Sequence, residues 1–182
     1  YNSLDQLSSI TYPISGTTVN YSPDVLGRPS QVSGFVNSVS YWPSGQVNTI
    51  YYANGTSSNY GQNARLWPSS INTQKSGGIS IINSNYSYDS VGNLTSINDS
   101  SDSSYNRTMN YDSMNRLSSI SGPWGSGAIS YNGVGNITSQ SSGTSNLYYN
   151  YDGNNRLASV SGVRNDSYTY DANGNAITAG AN

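Results

Sequence analysis

The sequence contains no cysteine, no histidine and no glutamate, and its only lysine is Lys75. Without histidine or cysteine, the chain cannot form the usual Ser-His or Cys-His nucleophile pairs, and it cannot build a structural zinc site. Disulfides are excluded for the same reason. We therefore expect no catalytic residue, no cofactor and no metal, and we predict that the protein is not an enzyme.

Charge is also scarce, at 9% of the residues with a net charge of −2. Seven scattered cations form no basic patch, and nucleic-acid binding depends largely on neutralising phosphates. No run of roughly 18 apolar residues is present, which is the length that a membrane-spanning helix requires. We expect neither nucleic-acid binding nor membrane insertion.

What the chain does have is serine, asparagine and glycine, together with 17 Tyr and 3 Trp. So many aromatic residues are not typical of a disordered polar linker. Many of the tyrosines begin a repeated phrase, which reads Tyr-Asp, two variable residues, Gly or Asn, Asn or Arg, and an aliphatic residue. Clear copies begin at Tyr88, Tyr111, Tyr131, Tyr151 and Tyr170. Such self-similarity is typical of a repeat protein.

Weaker copies extend the repeat to the N-terminus, so that nine anchors fall at positions 1, 23, 41, 60, 88, 111, 131, 151 and 170. The longest interval contains an insertion around residues 75–78. We predict an all-β fold of about nine stacked antiparallel β-hairpins, forming a solenoid, a spiral ribbon or a fibre. We expect one array over residues 1–182, with degenerate copies in 1–80 and regular copies in 81–182.

The phrase itself predicts a turn. Asp at the first position and Gly at the fourth are the preferences of a type I turn, and Gly or Asn tolerates a positive φ that closes a hairpin through a bulge. Asp5 and Ala64 occupy the fourth position in two copies and depart from this rule. The structural anchors that we predict are Tyr88, Asp89, Gly92, Tyr111, Asp112, Asn115, Tyr131, Gly135, Tyr151, Asp152, Asn155, Tyr170, Asp171 and Gly174.

The aliphatic residues after each turn and the alternation of Arg with Asn bear on how the hairpins are arranged. Aliphatic residues three apart, such as Leu117 and Ile120, fall on opposite faces of a strand unless a bulge intervenes. Arg116 and Arg156 follow the turn in alternate copies, where the intervening copies have Asn. This alternation implies a superperiod of two hairpins, which would place alternate turns on opposite sides.

Residues 88 to 177 resemble the YD-repeat, or Rhs-repeat, family, whose consensus runs Tyr-x-Tyr-Asp-x-x-Gly-Arg/Asn-Leu-x-x-Ile/Val. Members include bacterial Rhs and wall-associated toxins, insecticidal toxin-complex components and teneurins. The resemblance implies a long β-ribbon that spirals into a hollow shell, which encloses or carries other domains. We find no segment here like the family's Asp-based self-cleavage core.

Several residues also suggest chemistry. The repeated Asp residues could form the carboxylate pairs of a glycosidase, and Asp99, Asp102 or Asp171 could bind calcium, but turn capping explains the repeated Asp and no EF-hand loop is present. Trp42, Trp67 and Trp124 could stack on sugar rings. Packing against a neighbouring hairpin is the simpler interpretation.

Eight Asn-x-Ser/Thr sequences are candidate glycosylation sites: Asn20, Asn54, Asn85, Asn93, Asn98, Asn106, Asn136 and Asn165. Chance alone predicts nearly seven in a chain so rich in Asn, Ser and Thr. Their placement at turns and loops favours attached glycans, because a nearly uncharged surface needs a solubilising coat.

The chain begins on a repeat tyrosine and stops within a unit at Asn182, without capping units. Repeat arrays need caps, and open strand edges invite pairing. Our first hypothesis is therefore a non-catalytic segment of an extracellular or cell-surface fibre, whose partners are further copies of itself and covalent glycans. The alternatives are part of an Rhs-type shell around a toxin or effector, and a carbohydrate-binding adhesin.

Overall fold

A computed structural model describes residues 1–181, and Asn182 lies outside the described residues. Nearly every regular element is a β-strand, which agrees with the period-2 alternation of tyrosine and branched residues in the sequence. One 3₁₀-helix spans Ser103–Tyr105. The strands are β1 Ser9–Thr11, β2 Thr18–Asn20, β3 Val36–Tyr41, β4 Val47–Tyr52, β5 Thr56–Gln62, β6 Pro68–Lys75, β7 Ile79–Tyr88, β8 Leu94–Asp99, β9 Arg107–Tyr111, β10 Leu117–Gly122, β11 Gly125–Tyr131, β12 Ile137–Ser142, β13 Ser145–Tyr151, β14 Leu157–Gly162, β15 Asp166–Tyr170 and β16 Ala176–Ala181.

Strands β3 to β16 form a 14-stranded antiparallel sheet in which spatial order follows chain order. Strands β1 and β2 pair separately. The predicted all-β fold of repeated antiparallel hairpins is confirmed. Of the nine anchored copies, seven are hairpins of the large sheet. The second copy has only a bridge between Pro23 and Pro29 around its turn, because proline has no N–H for a strand ladder.

The chain divides into two compact units. Unit 1 comprises residues 1–87 and 98–103, and unit 2 comprises residues 88–97 and the chain from Ser104 onward. That residues 1–182 form one continuous array therefore stays a prediction.

Six of the hairpins contain a β-bulge, which explains why the aliphatic residues after each turn are three positions apart. In β9–β10, Tyr111 lies opposite Leu117, one extra residue follows, and Met109 then lies opposite Ile120. The extra residue restores the alternation, so Leu117 and Ile120 share one face. The same register recurs in both units.

In unit 2 this register separates two chemically different faces. The tyrosine face carries aliphatic residues and the anchor tyrosines, and Met109 and Val160 are buried there at 7% and 1% exposure. The opposite, serine face consists mainly of Ser, Thr and Asn, with cross-strand hydrogen bonds such as Asn110 to Ser119 at 2.9 Å and Asn150 to Ser159 at 3.2 Å. Among the described residues only three apolar side chains, Val19, Met109 and Val160, are buried, so backbone ladders and polar contacts must contribute much of the order.

Candidate functional site: the turn row

Nine turns have the same backbone geometry, and we call them the turn row. In each, the first residue donates its N–H to the carbonyl four residues later at 2.8–3.0 Å, and the fourth residue donates to the first carbonyl at 2.9–3.3 Å. The first residues are Asn2, Asp24, Trp42, Asn63, Asp89, Asp112, Asn132, Asp152 and Asp171. One local structure is therefore repeated at every copy.

The fourth residue of every turn has a positive φ. Five are glycine, and the others are Asp5, Leu66, Asn115 and Asn155. The assignment of Ala64 to this position was wrong. The turn begins at Asn63 and its fourth residue is Leu66, with φ of 64°, two residues later than the Tyr60 anchor implied. Gln62 takes the place of the anchor tyrosine there, opposite Pro68.

Five of the turns are capped by a carboxylate: Asp24, Asp89, Asp112, Asp152 and Asp171. In one of them, Asp112 Oδ1 accepts N–H bonds from Met114 at 2.9 Å and from Arg116 at 3.0 Å. The Arg116 guanidinium then contacts Oδ2 at 2.7 Å. Asn2, Asn63 and Asn132 use an amide oxygen in the same way.

These bonds lower the pKa of the capping carboxyls below the ordinary value of 3.8. For Asp112 the main cause is the hydrogen bond from the Arg116 side chain, and for Asp152 it is the N–H of Arg156. For Asp89, burial raises the pKa, but bonds from Asn93 and its neighbours outweigh it. A carboxyl with a lowered folded-state pKa stabilises the fold above its ordinary pKa, and this contribution disappears as the pH falls through the lowered value.

Anchor tyrosines connect each turn to the preceding copy. The hydroxyls of Tyr111, Tyr131, Tyr151 and Tyr170 each donate to the carbonyl of the aliphatic residue that follows the previous turn, at 2.8–2.9 Å. Tyr41 makes the equivalent bond to Pro29 in unit 1. The sequence showed where the tyrosines recur, but it did not reveal this bond.

A second set of contacts alternates along unit 2. The amides of Asn93 and Asn136 donate to the side-chain oxygen of Asn at the fourth position of the next turn. In the other copies the guanidinium stacks on the next anchor tyrosine, with Arg116 4.3 Å from the ring centre of Tyr131.

Each copy contains two antiparallel strands, so the chain returns to the same end of the strands before the next turn. The expectation that alternate turns lie on opposite sides was wrong.

The remaining candidates are dispersed. Trp42 donates its indole N–H to the Tyr60 carbonyl at 2.9 Å, Trp67 lies beside Arg65, and Trp124 covers Gly122. Asp99 accepts the N–H groups of Ser101 and Asp102. Within residues 1–181, no group of three potential metal ligands is present.

The eight candidate glycosylation sites fall into two classes. Asn93 and Asn136 are half-buried, and their amide groups are used within the turn row. The other six, Asn20, Asn54, Asn85, Asn98, Asn106 and Asn165, are exposed. Asn20, Asn85 and Asn98 lie in strands β2, β7 and β8, so the expectation that the sites lie at turns and loops was wrong for these three. The exposure of the side chains therefore distinguishes two groups of Asn-x-Ser/Thr sites that look alike in the sequence.

No described helix is long and apolar enough to cross a membrane. No protein family and no curated protein matches the sequence. Solved structures do match. A TcdB2–TccC3 complex superposes with a TM-score of 0.63 at 16% identity, covering 90% of this chain and 13% of the other. The Photorhabdus luminescens Tc holotoxin pore gives 0.63, also at 16% identity, covering 90% and 12%.

The likeness shows the fold. A TcdB2–TccC3 structure without the hypervariable C-terminal region also matches, with a TM-score of 0.57 and 18% identity over 89% of this chain and 9% of the other. The chain thus spans only about an eighth or less of the proteins that it resembles.

Proposed function

We propose that this chain is a non-catalytic wall segment of a YD/Rhs-type shell that surrounds other protein material. The observation that supports this best is the likeness of 90% of the chain to part of a TcdB2–TccC3 complex. Toxin-complex components belong to the family that the repeat phrase resembles. The likeness supports the shell more than the fibre of our first hypothesis.

The chemistry of the turn row also supports a structural role. A glycosidase needs a pair of carboxylates, but all five capping carboxylates here accept bonds from backbone N–H groups and from Arg or Asn side chains of their own turns. The tyrosine hydroxyls are bound to carbonyls of the preceding copy. The carboxylates therefore hold their own turns and the tyrosine hydroxyls hold the preceding copy, which is what a wall requires.

A fibre or surface filament remains a second candidate. Consecutive hairpins pair edge to edge along the sheet, and the same strand pairing between separate chains would build a filament. An extracellular location and glycans on the exposed Asn residues belong to either proposal.

Electron cryomicroscopy of the complete gene product that contains this chain tests the proposal. We expect closed, hollow particles whose wall fits the hairpins of each unit, with density inside. A matched preparation with the repeat region deleted should lose the hollow particle. Filaments with a regular rise would instead establish the second candidate, and solid particles without a cavity would contradict both.

A further inference from the structure

The fourth copy has no tyrosine at the position from which the anchor tyrosines reach the preceding copy. In five other copies the hydroxyl at this position donates to the carbonyl of the first residue after the preceding turn, at 2.6–2.9 Å; these anchors are Tyr41, Tyr111, Tyr131, Tyr151 and Tyr170. In the fourth copy the position belongs to Gln62. The equivalent acceptor is the carbonyl of Val47, which follows the turn that begins at Trp42.

A cavity of about 250 Å³ lies beside this position, within unit 1. Val47 lines it from the preceding copy, and Tyr60, Pro68 and Ile71 line it from the fourth copy. Tyr60 lies opposite Ile71, and Gln62 lies opposite Pro68. Since Tyr60 and Gln62 are two residues apart, the three lining residues of the fourth copy share one face of the sheet with the anchor position.

Val47 lies on the same face. The bulge in the hairpin of β3 and β4 places Val47 and Ile50 on one face. Ile50 lies opposite Ser58 in β5, and Ser58 is two residues before Tyr60. The four apolar and aromatic side chains therefore line the cavity from one side of the sheet, which corresponds to the tyrosine face of unit 2.

The side chain of Gln62 does not line this cavity. Its Oε1 accepts a hydrogen bond from Ser44 Oγ at 3.0 Å, in the preceding turn. Within residues 1–181 no side-chain hydrogen bond to the Val47 carbonyl is described. An engineered apolar cavity of about 150 Å³ in another protein binds benzene, so the volume here has room for a substituted aromatic ring.

The mouth of the cavity also resembles the surroundings of an anchor ring. Gln46, the fifth residue of the preceding turn, lines it. In unit 2 the fifth residue Arg116 lies over the ring of Tyr131, 4.3 Å from its centre. The fourth copy thus has the walls, the acceptor and the covering side chain of an anchor site, with Gln62 in place of the ring.

We propose that this cavity binds a para-substituted phenol, which is the chemical group of a tyrosine side chain. The ring packs against Val47, Pro68 and Ile71, and its hydroxyl donates to the Val47 carbonyl, as the anchor tyrosines do in the five other copies. A free phenol and a tyrosine of another chain carry the same group. The proposal does not depend on the shell, because every residue of the site belongs to unit 1.

Titration of the 182-residue chain with 4-methylphenol, followed by NMR, tests the proposal. We expect saturable shifts at the methyl groups of Val47 and Ile71, because an aromatic ring would lie beside them. 4-Methylanisole, whose oxygen carries no proton, should bind about fivefold more weakly, since it loses one net hydrogen bond. N-acetyltyrosinamide distinguishes the two sources: binding at least as tight as that of 4-methylphenol favours a tyrosine of another chain, and weaker binding favours a free phenol.

Gln62→Tyr supplies the ring from the chain itself and should abolish binding of 4-methylphenol. Gln140→Tyr is the matched control, because Gln140 is exposed in unit 2 and does not line the cavity, and this variant should bind as the parent does. Circular dichroism checks that both variants fold. No saturable binding by the folded parent, equal binding of 4-methylphenol and 4-methylanisole, or unchanged binding by folded Gln62→Tyr would each overturn the proposal.

Discussion

Removing one anchor hydroxyl should destabilise the fold measurably. Tyr151 donates to the Ile137 carbonyl at 2.8 Å, and this is a bond between consecutive copies. Tyr151→Phe keeps the ring and deletes only the hydroxyl. An intramolecular hydrogen bond contributes about 0.5–1.5 kcal/mol net, so we expect a loss of about 1 kcal/mol in the free energy of unfolding.

The control for this substitution is Tyr148→Phe. No hydrogen bond of the Tyr148 hydroxyl is described within residues 1–181, and the ring stands on the serine face. Deleting this hydroxyl should change the free energy of unfolding by less than about 0.5 kcal/mol. Both variants are compared with the parent by urea denaturation monitored by circular dichroism at pH 7.

The four equivalent bonds of unit 2 allow a stricter version. Consecutive anchors are separated by two strands, or about 9.5 Å, and substitutions this far apart add nearly independently. Replacing Tyr111, Tyr131, Tyr151 and Tyr170 together by Phe should therefore cost about 4 kcal/mol. If Tyr151→Phe is no more destabilising than Tyr148→Phe, the bonds between copies do not hold the array and the reasoning fails.

Four further predictions follow from other contacts. Stability should fall as the pH drops below 3.8, since the capping carboxyls have lowered pKa values, and Asp112→Asn should flatten the dependence of the urea midpoint on pH. Leu66→Gly should stabilise the protein by about 0.5–1 kcal/mol in the same assay, because relief of a left-handed conformation exceeds the entropic cost of glycine. Val160→Ala should cost about 2 kcal/mol, because it empties the most buried side-chain site, whereas an exposed Val should tolerate the change. In a secretory eukaryotic host, peptide mapping should find glycans on exposed sites but not on Asn93 or Asn136, and an unmodified mass of 19.4 kDa would contradict glycosylation.

The sequence was sufficient to predict the strands and most of the turns, because Asp at the first position and Gly or Asn at the fourth act within five residues. The turn prediction was wrong where the turn was placed from the wrong anchor residue. In the fourth copy Tyr60 served as the anchor, whereas Asn63 caps the turn and Leu66 adopts the positive φ. The Asn63 cap four residues before Trp67 was the available signal.

Contacts between copies could not be predicted in the same way. The acceptor of each tyrosine hydroxyl is a backbone carbonyl, which leaves no mark in the sequence, and its identity depends on the bulge. The cavity beside Val47 depends on the strand register that places Gln62, two residues after Tyr60, at the anchor position. Local patterns fix local geometry, whereas register decides which side chains meet.

Because local patterns and strand register have separate roles, two chains can share this fold with few identical residues, as the 16% identity to the TcdB2–TccC3 complex over 90% of this chain illustrates. Every copy has a fourth turn residue with a positive φ, and most copies also have a capping side chain, an anchor ring and an aliphatic partner, whereas the remaining positions need only keep to one face. The serine face has almost no further constraint, since Ser, Thr and Asn can exchange there while their hydrogen bonds are re-formed across strands. Substitutions should therefore be tolerated on that face and resisted in the turn row, and a deep mutational scan read out by protease resistance would measure the contrast. Equal tolerance at both places would mean that the turns follow from the sheet, and do not organise it.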